Sequence, residues 1–174
     1  MSRILVTGAT GFLGKRLVHA LDDKGHGLRC LSRSAKSLDT ATPLSSPPEM
    51  VRADLLEPET LPAALDGVDT AYYLVHSMGG SSMAQTREFE NRDRLAAENF
   101  VNAADRAGVR RIIYMGGLGD LTDDLSPHLR SRQEIGDILQ SGRVRTTVLR
   151  AAVIIGAGGA SFEIIRYLVW NGCR

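Results

Sequence analysis

The chain has 174 residues, which suits one compact domain spanning residues 1–174 but leaves little room for a separate substrate lobe. Its 21 basic and 20 acidic residues leave a formal charge of +1, which argues against a nucleic-acid partner and against a polybasic membrane patch. The two cysteines are too few for a disulfide framework, and no apolar run reaches the roughly 18 residues that a membrane span needs. We therefore expect a cytoplasmic, soluble protein that binds neither nucleic acid nor membrane.

Short apolar runs alternate along the chain with stretches of helical period, and this alternation predicts βαβ units with a parallel sheet. The fold class that follows is α/β, a doubly wound parallel sheet with helices on both faces. Strands are expected at Arg3 to Val6, Gly27 to Ser32, Met50 to Ala53, Thr70 to Val75, Arg111 to Met115 and Thr146 to Ile155. Helices are expected at Phe12 to Asp23, Pro58 to Leu65, Ser82 (as the N-cap) to Ala107, Pro127 to Gln140 and Ser161 to Trp170.

Three of these helices have a marked apolar side. The first places Leu13, Leu17, Ala20 and Leu21 on one face, and the long helix does the same with Phe89, Leu95, Ala96, Phe100, Ala103 and Ala104. Its charged residues Arg87, Glu90, Arg94, Glu98 and Asp105 are expected to be solvated. The last helix is more apolar than a lone surface helix should be, so it predicts a covering partner such as a second copy in a homodimer.

The segment TGATGFLG, residues 7–14, lies between the first predicted strand and the first predicted helix. Gly8 allows a tight turn, Gly11 lets backbone approach a pyrophosphate, and Gly14 permits close helix packing. The helix N-terminus adds free N–H groups and a favourable dipole for an anion. The segment therefore predicts a dinucleotide phosphate site, and the alternative is a glycine-rich turn without a ligand.

The spacing GxxGxxG in this segment resembles the extended and atypical short-chain dehydrogenase/reductase superfamily, and the resemblance runs over nearly the whole chain. Asp54 in ADLLEPETL matches the acidic residue that lies beside the adenine in this superfamily. The segments YYLVHSMGG and RIIYMGGLG resemble bacterial NAD(P)H-binding proteins of the NmrA-like and sugar-epimerase-like groups. The resemblance implies a Rossmann-type domain that binds a dinucleotide.

Extended members of the superfamily carry a further C-terminal lobe that supplies much of the substrate pocket. In this chain no such lobe follows the helix that begins at Ser161. We therefore expect a truncated or naturally shortened form that binds the cofactor and has an open substrate side.

The end of the second strand reads Leu31-Ser32-Arg33-Ser34 and carries no acidic residue. Sites that prefer NAD place Asp or Glu there, whereas a 2′-phosphate is better matched by Arg and a hydroxyl. NADP(H) is therefore the favoured cofactor, with NAD still possible, and the alternative is an ordinary exposed arginine. The predicted cofactor-binding residues are Thr7, Gly8, Thr10, Gly11, Phe12, Leu13, Gly14, Ser32, Arg33, Asp54, Leu55, Val75, His76 and Arg132.

The catalytic Tyr-x-x-x-Lys pair of the superfamily has no counterpart, because no tyrosine here has a lysine four residues later. By position, SPHLRSRQEIG places His128 at the tyrosine and Arg132 at the lysine, one helical turn apart. His128 could transfer a proton near neutral pH, and Arg132 could hydrogen-bond a ribose but cannot give up its own proton. The alternative is that His128 belongs to a plain helix start and that Arg132 is solvated.

The serine that usually polarises the carbonyl is also missing, since its place reads GGLG at residues 116–119. His76, at the carboxyl end of the fourth strand, could contact the nicotinamide or act as an acid, and otherwise it is a hydrogen-bonded loop residue. The acidic residues Asp120, Asp123 and Asp124 are typical of a solvated turn, and the four histidines lack metal-ligand spacing.

Two functions remain open. The first is an oxidoreductase that transfers a hydride to or from a small carbonyl, imine or quinone-like substrate, with His128, His76 or water as the proton donor. The second is a non-catalytic NAD(P)-binding redox sensor or complex-assembly module, which the altered Tyr-x-x-x-Lys site would permit.

Overall fold

The computed structural model describes residues 2–34, 38, 43–76, 83–119 and 125–172, without the side chains of residues 83–86 and 160–161. The predicted N-cap Ser82 and the acidic loop with Asp120, Asp123 and Asp124 lie outside the described residues.

A parallel sheet forms the centre of the described chain, and its strand order is β3-β2-β1-β4-β5-β6. The order reverses between β1 and β4, which start opposite halves of a doubly wound sheet. The predicted α/β class is thereby confirmed. The strands are β1 (Arg3–Thr7), β2 (Gly27–Ser32), β3 (Glu49–Arg52), β4 (Thr70–Tyr73), β5 (Arg111–Gly117) and β6 (Arg145–Ala151).

Four helices connect consecutive strands, as parallel pairing requires, and a fifth follows β6. They are α1 (Phe12–Asp22), α2 (Leu61–Leu65, preceded by a 3₁₀ turn at Pro58–Thr60), α3 (Met83–Ala107), α4 (Pro127–Ser141) and α5 (Ala160–Gly172). The hydroxyl of Ser126 accepts a hydrogen bond from the Leu129 amide and so caps α4.

Alternate residues of each inner strand point to opposite faces of the sheet, so the helices cover two separate cores. On one face Val6 and Cys30 pack with Val18 of α1. On the other face the strands pack against α2, α3 and α4, and Tyr73 meets Phe100 edge-on with ring centroids 5.0 Å apart. Helices therefore cover both faces, as predicted.

Several predicted boundaries differ from the structure. Strand β6 ends at Ala151 and not at Ile155, because Ala151 pairs with Gly117, the last residue of β5. Strand β4 ends at Tyr73 and not at Val75. Conversely, β5 continues through Gly116 and Gly117, beyond its predicted end at Met115.

Several predicted side-chain environments also differ, among them that of Glu90, which is half-buried. Ala20 is exposed, and Val18 takes the buried place on α1. Leu95 is 46% exposed although it follows the apolar period of α3. Asp105 is half-buried because its carboxylate accepts hydrogen bonds from the amides of Arg143 and Val144, and so it fixes the turn after α4.

Candidate functional site

A cleft of about 1350 Å³ opens at the carboxyl edge of the sheet. Its walls come from the segments that follow β1, β2, β3, β4 and β6, from the end of β5, and from α3 and α4. It crosses the point where the strand order reverses, which is where open α/β sheets bind ligands. With the exception of Thr7, every predicted cofactor or catalytic residue lines this cleft.

The glycine loop forms the floor of the cleft between β1 and α1. Gly8 has a φ of +67°, and a Cβ there would stand 3.2 Å from the Leu74 carbonyl group. A Cβ on Gly14 would overlap the Gly8 carbonyl oxygen and stand 2.7 Å from the Ala9 Cα. Gly11 is the N-cap of α1 and no side chain caps it, so the first N–H groups of the helix are left for a ligand. These features fit a pyrophosphate.

Thr7 lies beside this loop but does not reach the cleft. Its side chain is fully buried, and its hydroxyl donates to the Tyr72 carbonyl oxygen at 3.1 Å and accepts from the Leu74 amide at 3.1 Å. The hydroxyl thus joins the end of β1 to the end of β4. This role is structural, and the sequence motif alone did not separate it from ligand contact.

Phe12 and Arg16 of α1 hold the segment between β6 and α5 against the glycine loop. The Arg16 guanidinium lies 3.9 Å from the Phe12 ring centroid and donates to the Ala157 carbonyl oxygen at 2.8 Å. A Cβ on Gly156 would stand 2.9 Å from the tip of the Phe12 ring, so the loop backbone packs directly on that ring. We call Phe12 and Arg16 the α1 clamp.

Polar groups gather at the end of the cleft formed by β2 and β3. Arg33 is exposed and lines the cleft directly after β2, where Ser32 accepts a hydrogen bond from the Ser34 amide at 3.4 Å. Asp54 follows β3, and its Oδ1 atom accepts from the Leu56 amide at 3.0 Å. That bond fixes the carboxylate at the cleft wall and leaves its second oxygen for a ligand.

The opposite end of the cleft holds the predicted catalytic residues. His76 follows β4 and His128 lies in the first turn of α4, yet their ring centroids are 6.0 Å apart. Arg132, half-buried, donates from its guanidinium to the Met115 carbonyl oxygen at 2.7 Å. The fold thus brings together three residues that the sequence spreads over more than fifty positions.

The two imidazoles are held toward their neutral form. Burial lowers the pKa of His76 below its ordinary value, and the positive charge of Arg132 lowers it further. The pKa of His128 is lowered for the same two reasons, in the same order. Asp93 opposes the shift at both rings, because its carboxylate favours the charged imidazole.

Asp93 is the site residue that the sequence analysis missed. It lies on α3, is 8% exposed, and lines the cleft together with Phe89, Arg92 and Ala96. These four residues follow the spacing i, i+3, i+4 and i+7, so one face of α3 is turned to the cleft. An acidic residue within an apolar helical period was the signal that could have identified it.

Gly116 and Gly117 stand where the superfamily has its carbonyl-polarising serine, and the space around both glycines is narrow. A Cβ on Gly117 would stand 2.8 Å from the Leu129 side chain, and one on Gly116 would stand 3.2 Å from the Tyr114 ring. Tyr114 itself is buried, and its hydroxyl donates to the Arg132 carbonyl oxygen at 3.1 Å. Burial raises the pKa of Tyr114 to about 12, so the phenol keeps its proton at neutral pH.

The residues that the structure describes contain no group of three side chains that could hold a metal ion. Among the same residues, no helix is both long enough and apolar enough to cross a bilayer.

Comparison with known proteins decides the class of ligand. The profile of the NAD(P)H-binding family matches residues 8–166, which include the glycine loop and both histidines of the cleft. The chain belongs to this NAD(P)H-binding family. A crystal structure of a short-chain dehydrogenase/reductase superfamily protein from Agrobacterium tumefaciens with bound NAD has the same fold, with a TM-score of 0.65 at 23% identity. The match covers 85% of this chain and 48% of that one. The family match confirms the predicted dinucleotide-binding domain, and the structural match confirms its fold.

The curated relatives of this NAD(P)H-binding chain are named for different roles, which include an enzyme and an assembly factor. It is 35% identical over 121 residues to a 3 beta-hydroxysteroid dehydrogenase/Delta 5→4-isomerase of Mycobacterium tuberculosis, covering 66% of this chain and 31% of the relative. It is 28% identical over 112 residues to the Photosystem II assembly factor Ycf39 of Synechocystis, covering 64% of this chain and 32% of the relative. The chain thus spans about a third of the length of these two relatives.

Proposed function

We propose that the chain uses NADP(H) as an oxidoreductase, transferring a hydride to or from a small carbonyl or quinone-like substrate. The observation that supports this most directly is the pair of imidazoles at one end of the cleft, with ring centroids 6.0 Å apart. Histidine is the side chain whose ordinary pKa lies nearest to neutral, so it can exchange a proton there.

The preference for NADP(H) over NAD(H) rests on Arg33. An exposed guanidinium directly after β2, next to the Ser32 and Ser34 hydroxyls, suits a 2′-phosphate, whereas an acidic residue would be expected for a free ribose hydroxyl. In this proposal Asp54 lies at the adenine, and the N-terminus of α1 faces the pyrophosphate.

A bound reduced nicotinamide would supply the hydride, and the chain's own residues manage the proton. In the reducing direction a protonated His128 or His76 gives its ring N–H proton to the substrate oxygen as the hydride arrives at carbon, so that a carbonyl becomes an alcohol. The neutral imidazole then recovers a proton from solvent. Arg132 keeps its proton and stays bonded to the Met115 carbonyl oxygen, where its charge attracts a developing oxyanion.

The walls of the cleft favour an apolar substrate. Phe89, Leu129 and Ile154 line the cleft, and Leu129 directly follows His128. Apolar walls with a few convergent polar groups are typical of small-molecule sites. Relatives named as a hydroxysteroid dehydrogenase and a ketoreductase of a farnesylated quinoline oxide are consistent with this choice.

The deciding experiment follows NADPH oxidation by the purified chain with a panel of apolar ketones and quinones. We expect turnover with at least one substrate, and a loss of roughly a hundredfold in kcat when His128 is changed to Gln. His76→Gln identifies which imidazole donates the proton. His19→Gln, on α1 and outside the cleft lining, is the matched control and should keep the activity.

The second candidate is a non-catalytic NAD(P)-binding module. Arg132 supports it, because a guanidinium at the place of the catalytic lysine cannot release a proton, and because it is already bonded to Met115. The relative named as an assembly factor is consistent with such a role. Saturable NADPH binding without turnover of any panel member would favour this candidate over the enzyme.

A further inference from the structure

Within the described residues, the β5–β6 half of the sheet has a layer of helices on one side only. Tyr114 and Val148 point into the core beneath α3 and α4, so the residues next to them along each strand point to the opposite side. On that side α1 packs on β1 and β2, and Leu149 of β6 remains 46% exposed. Parallel sheets are almost always covered on both faces. We call this surface the open face, and its residues are Arg111, Ile113, Met115, Arg145, Thr147 and Leu149.

Helix α5 is a second surface that lacks a covering layer among the described residues. Every residue from 164 to 172 is exposed, so the helix stands clear of the sheet. Its large apolar side chains lie on three adjoining stripes of the helix and not on one. The stripes are Ile164 with Leu168, Ile165 with Val169, and Tyr167 with Trp170. A helix that is apolar on most of its circumference belongs in a buried place.

The open face and α5 match in length and in charge. The 13 residues of α5 and the seven residues of each strand correspond to roughly 20 Å of helix and 23 Å of strand. Arg111 and Arg145 are register partners at the amino end of the open face, and both are exposed. In the described part of the chain no carboxylate forms an ion pair with either. Since a helix C-terminus carries partial negative charge, α5 fits with that end over the two arginines.

The joint before α5 disfavours docking of the helix on its own sheet. The Arg16 guanidinium donates to the Ala157 carbonyl oxygen at 2.8 Å, and a Glu163 carboxylate oxygen accepts from the Gly158 amide at 3.2 Å. These contacts fix the path of the chain into α5. To reach its own open face, α5 would have to pivot at this joint and give up the contacts that fix it. A helix that arrives from another copy keeps them.

We propose that a second copy of the chain covers the open face with its α5 and receives α5 in return. Such an exchange is self-complementary, as a two-fold symmetric dimer requires. A stable interface takes about 800 Å² from each partner. The six large side chains of α5, each between 45% and 73% exposed, supply an area of that order, and the open face adds to it. The docking site is therefore the β5–β6 face, and its occupant is α5 of the partner.

The test joins the two surfaces across copies with one cysteine on each. In a Cys173→Ser background the remaining native thiol, Cys30, is buried. A tagged Thr147→Cys chain is mixed with an untagged Leu168→Cys chain and mildly oxidised. In the proposed orientation both positions lie roughly 12–13 Å from the carboxyl edge of the sheet. We expect a disulfide between tagged and untagged chains on a non-reducing gel. Leu95→Cys, at an exposed leucine of α3 on the other side of the sheet, replaces Thr147→Cys as the matched control and should give none.

Each alternative arrangement leaves a different product. A chain that carries both cysteines and forms only an internal disulfide would place α5 on its own sheet and overturn the proposal. Leu168→Cys chains that join only to one another would show α5 pairing with α5, which also overturns it. Absence of any cross-link would do the same.

A charge on the open face gives a measurement that does not depend on cysteines. We expect Leu149→Glu to raise the dissociation constant of the dimer roughly tenfold or more, because the partner's α5 would bury a carboxylate. Leu95→Glu should leave that constant unchanged. Thr147→Arg, at another exposed position of the open face, is the second variant if urea unfolding shows that Leu149→Glu fails to fold. An unchanged dissociation constant in a folded open-face variant, or a monomeric unaltered chain at every concentration, would overturn the proposal.

Discussion

Gly14 packs so closely on the Gly8 carbonyl group that no side chain fits between α1 and the end of β1. The contact fixes the distance between the first turn of α1 and the strand, and therefore the place where the helix N–H groups meet a pyrophosphate. The six-residue spacing of Gly8 and Gly14 in the sequence thus determines how closely the N-terminus of α1 approaches the end of β1.

Gly14→Ala should both destabilise the chain and weaken dinucleotide binding. The added methyl group meets backbone atoms of Gly8 and Ala9, which cannot move aside as a flexible side chain can, and overpacking of this kind costs about 1–3 kcal/mol. Urea unfolding and NADPH titration measure the two effects. Gly27→Ala is the control, since its Cβ would meet only the Ser2 carbonyl oxygen, at 3.9 Å. Equal stability and affinity for both variants would contradict this account of the loop.

Sequence reasoning recovered the parts of the fold that depend on local pattern. The alternation of apolar runs and helical periods placed every strand of the described sheet, and the glycine spacing located the turn after β1. Strand ends were less accurate because they depend on pairing. The apolar residues Val153 and Ile155 continue the pattern of β6, but β5 has already ended and offers them no partner.

The candidate site was harder to predict where burial decides the role. The hydroxyl of Thr7 belongs to the glycine motif by position, yet the structure turns it toward Tyr72 and Leu74. Asp93 is the opposite case, because its place in the apolar period of α3 was a signal in the sequence, but its burial on the cleft face comes from tertiary packing. The approach of His76 and His128 also depends on the register of β4 beside β5, which a single sequence does not specify.

Arg33→Asp should reverse the preference for the phosphorylated cofactor. We expect NADPH affinity to fall by at least tenfold, equivalent to about 1.4 kcal/mol, because a charge attracted to the 2′-phosphate becomes one that repels it. NADH affinity should change little or rise. Fluorescence titration of both nucleotides gives the ratio. Arg145→Asp makes the same charge change at the amino end of β6, on the opposite edge of the sheet, and should leave the ratio unaltered. An unchanged ratio in Arg33→Asp would remove Arg33 from the cofactor site.

The apolar side chains of α5 lead us to expect self-association. Trp170 is 73% exposed and Leu168 is 61% exposed, and exposed apolar patches of this kind usually mark an interface. Sedimentation over a range of concentrations should show a dimer that the double variant Leu168→Glu, Trp170→Glu converts to monomer. Leu95→Glu introduces the same charge at an exposed leucine of α3 and should not change the mass. A monomeric mass for the unaltered chain at every concentration would contradict the expectation.

The α1 clamp should keep the segment before α5 ordered. Arg16→Gln removes both the contact with the Phe12 ring and the hydrogen bond to Ala157, with an expected cost of about 1 kcal/mol. Amide hydrogen exchange over residues 156–163 should accelerate more than exchange elsewhere. Arg110→Gln breaks an exposed ion pair with Asp69 at the other edge of the sheet and provides the comparison. Uniform acceleration along the chain would mean that Arg16 contributes to global stability only.

The two cleft histidines should make the protein less stable in mild acid. Their pKa values in the folded chain lie below the ordinary value of 6.5. Burial is the main cause, and the positive charge of Arg132 is the second. Below about pH 6.5 the unfolded chain therefore binds more protons than the folded chain, and stability present at pH 7.5 is lost as the pH falls toward 5. Urea midpoints across this range should fall more steeply for the unaltered chain than for the double variant His76→Gln, His128→Gln. His19→Gln should keep the steep dependence, since His19 lies outside the cleft lining. Parallel pH curves for the unaltered chain and the double variant would mean that neither imidazole is held neutral by the fold.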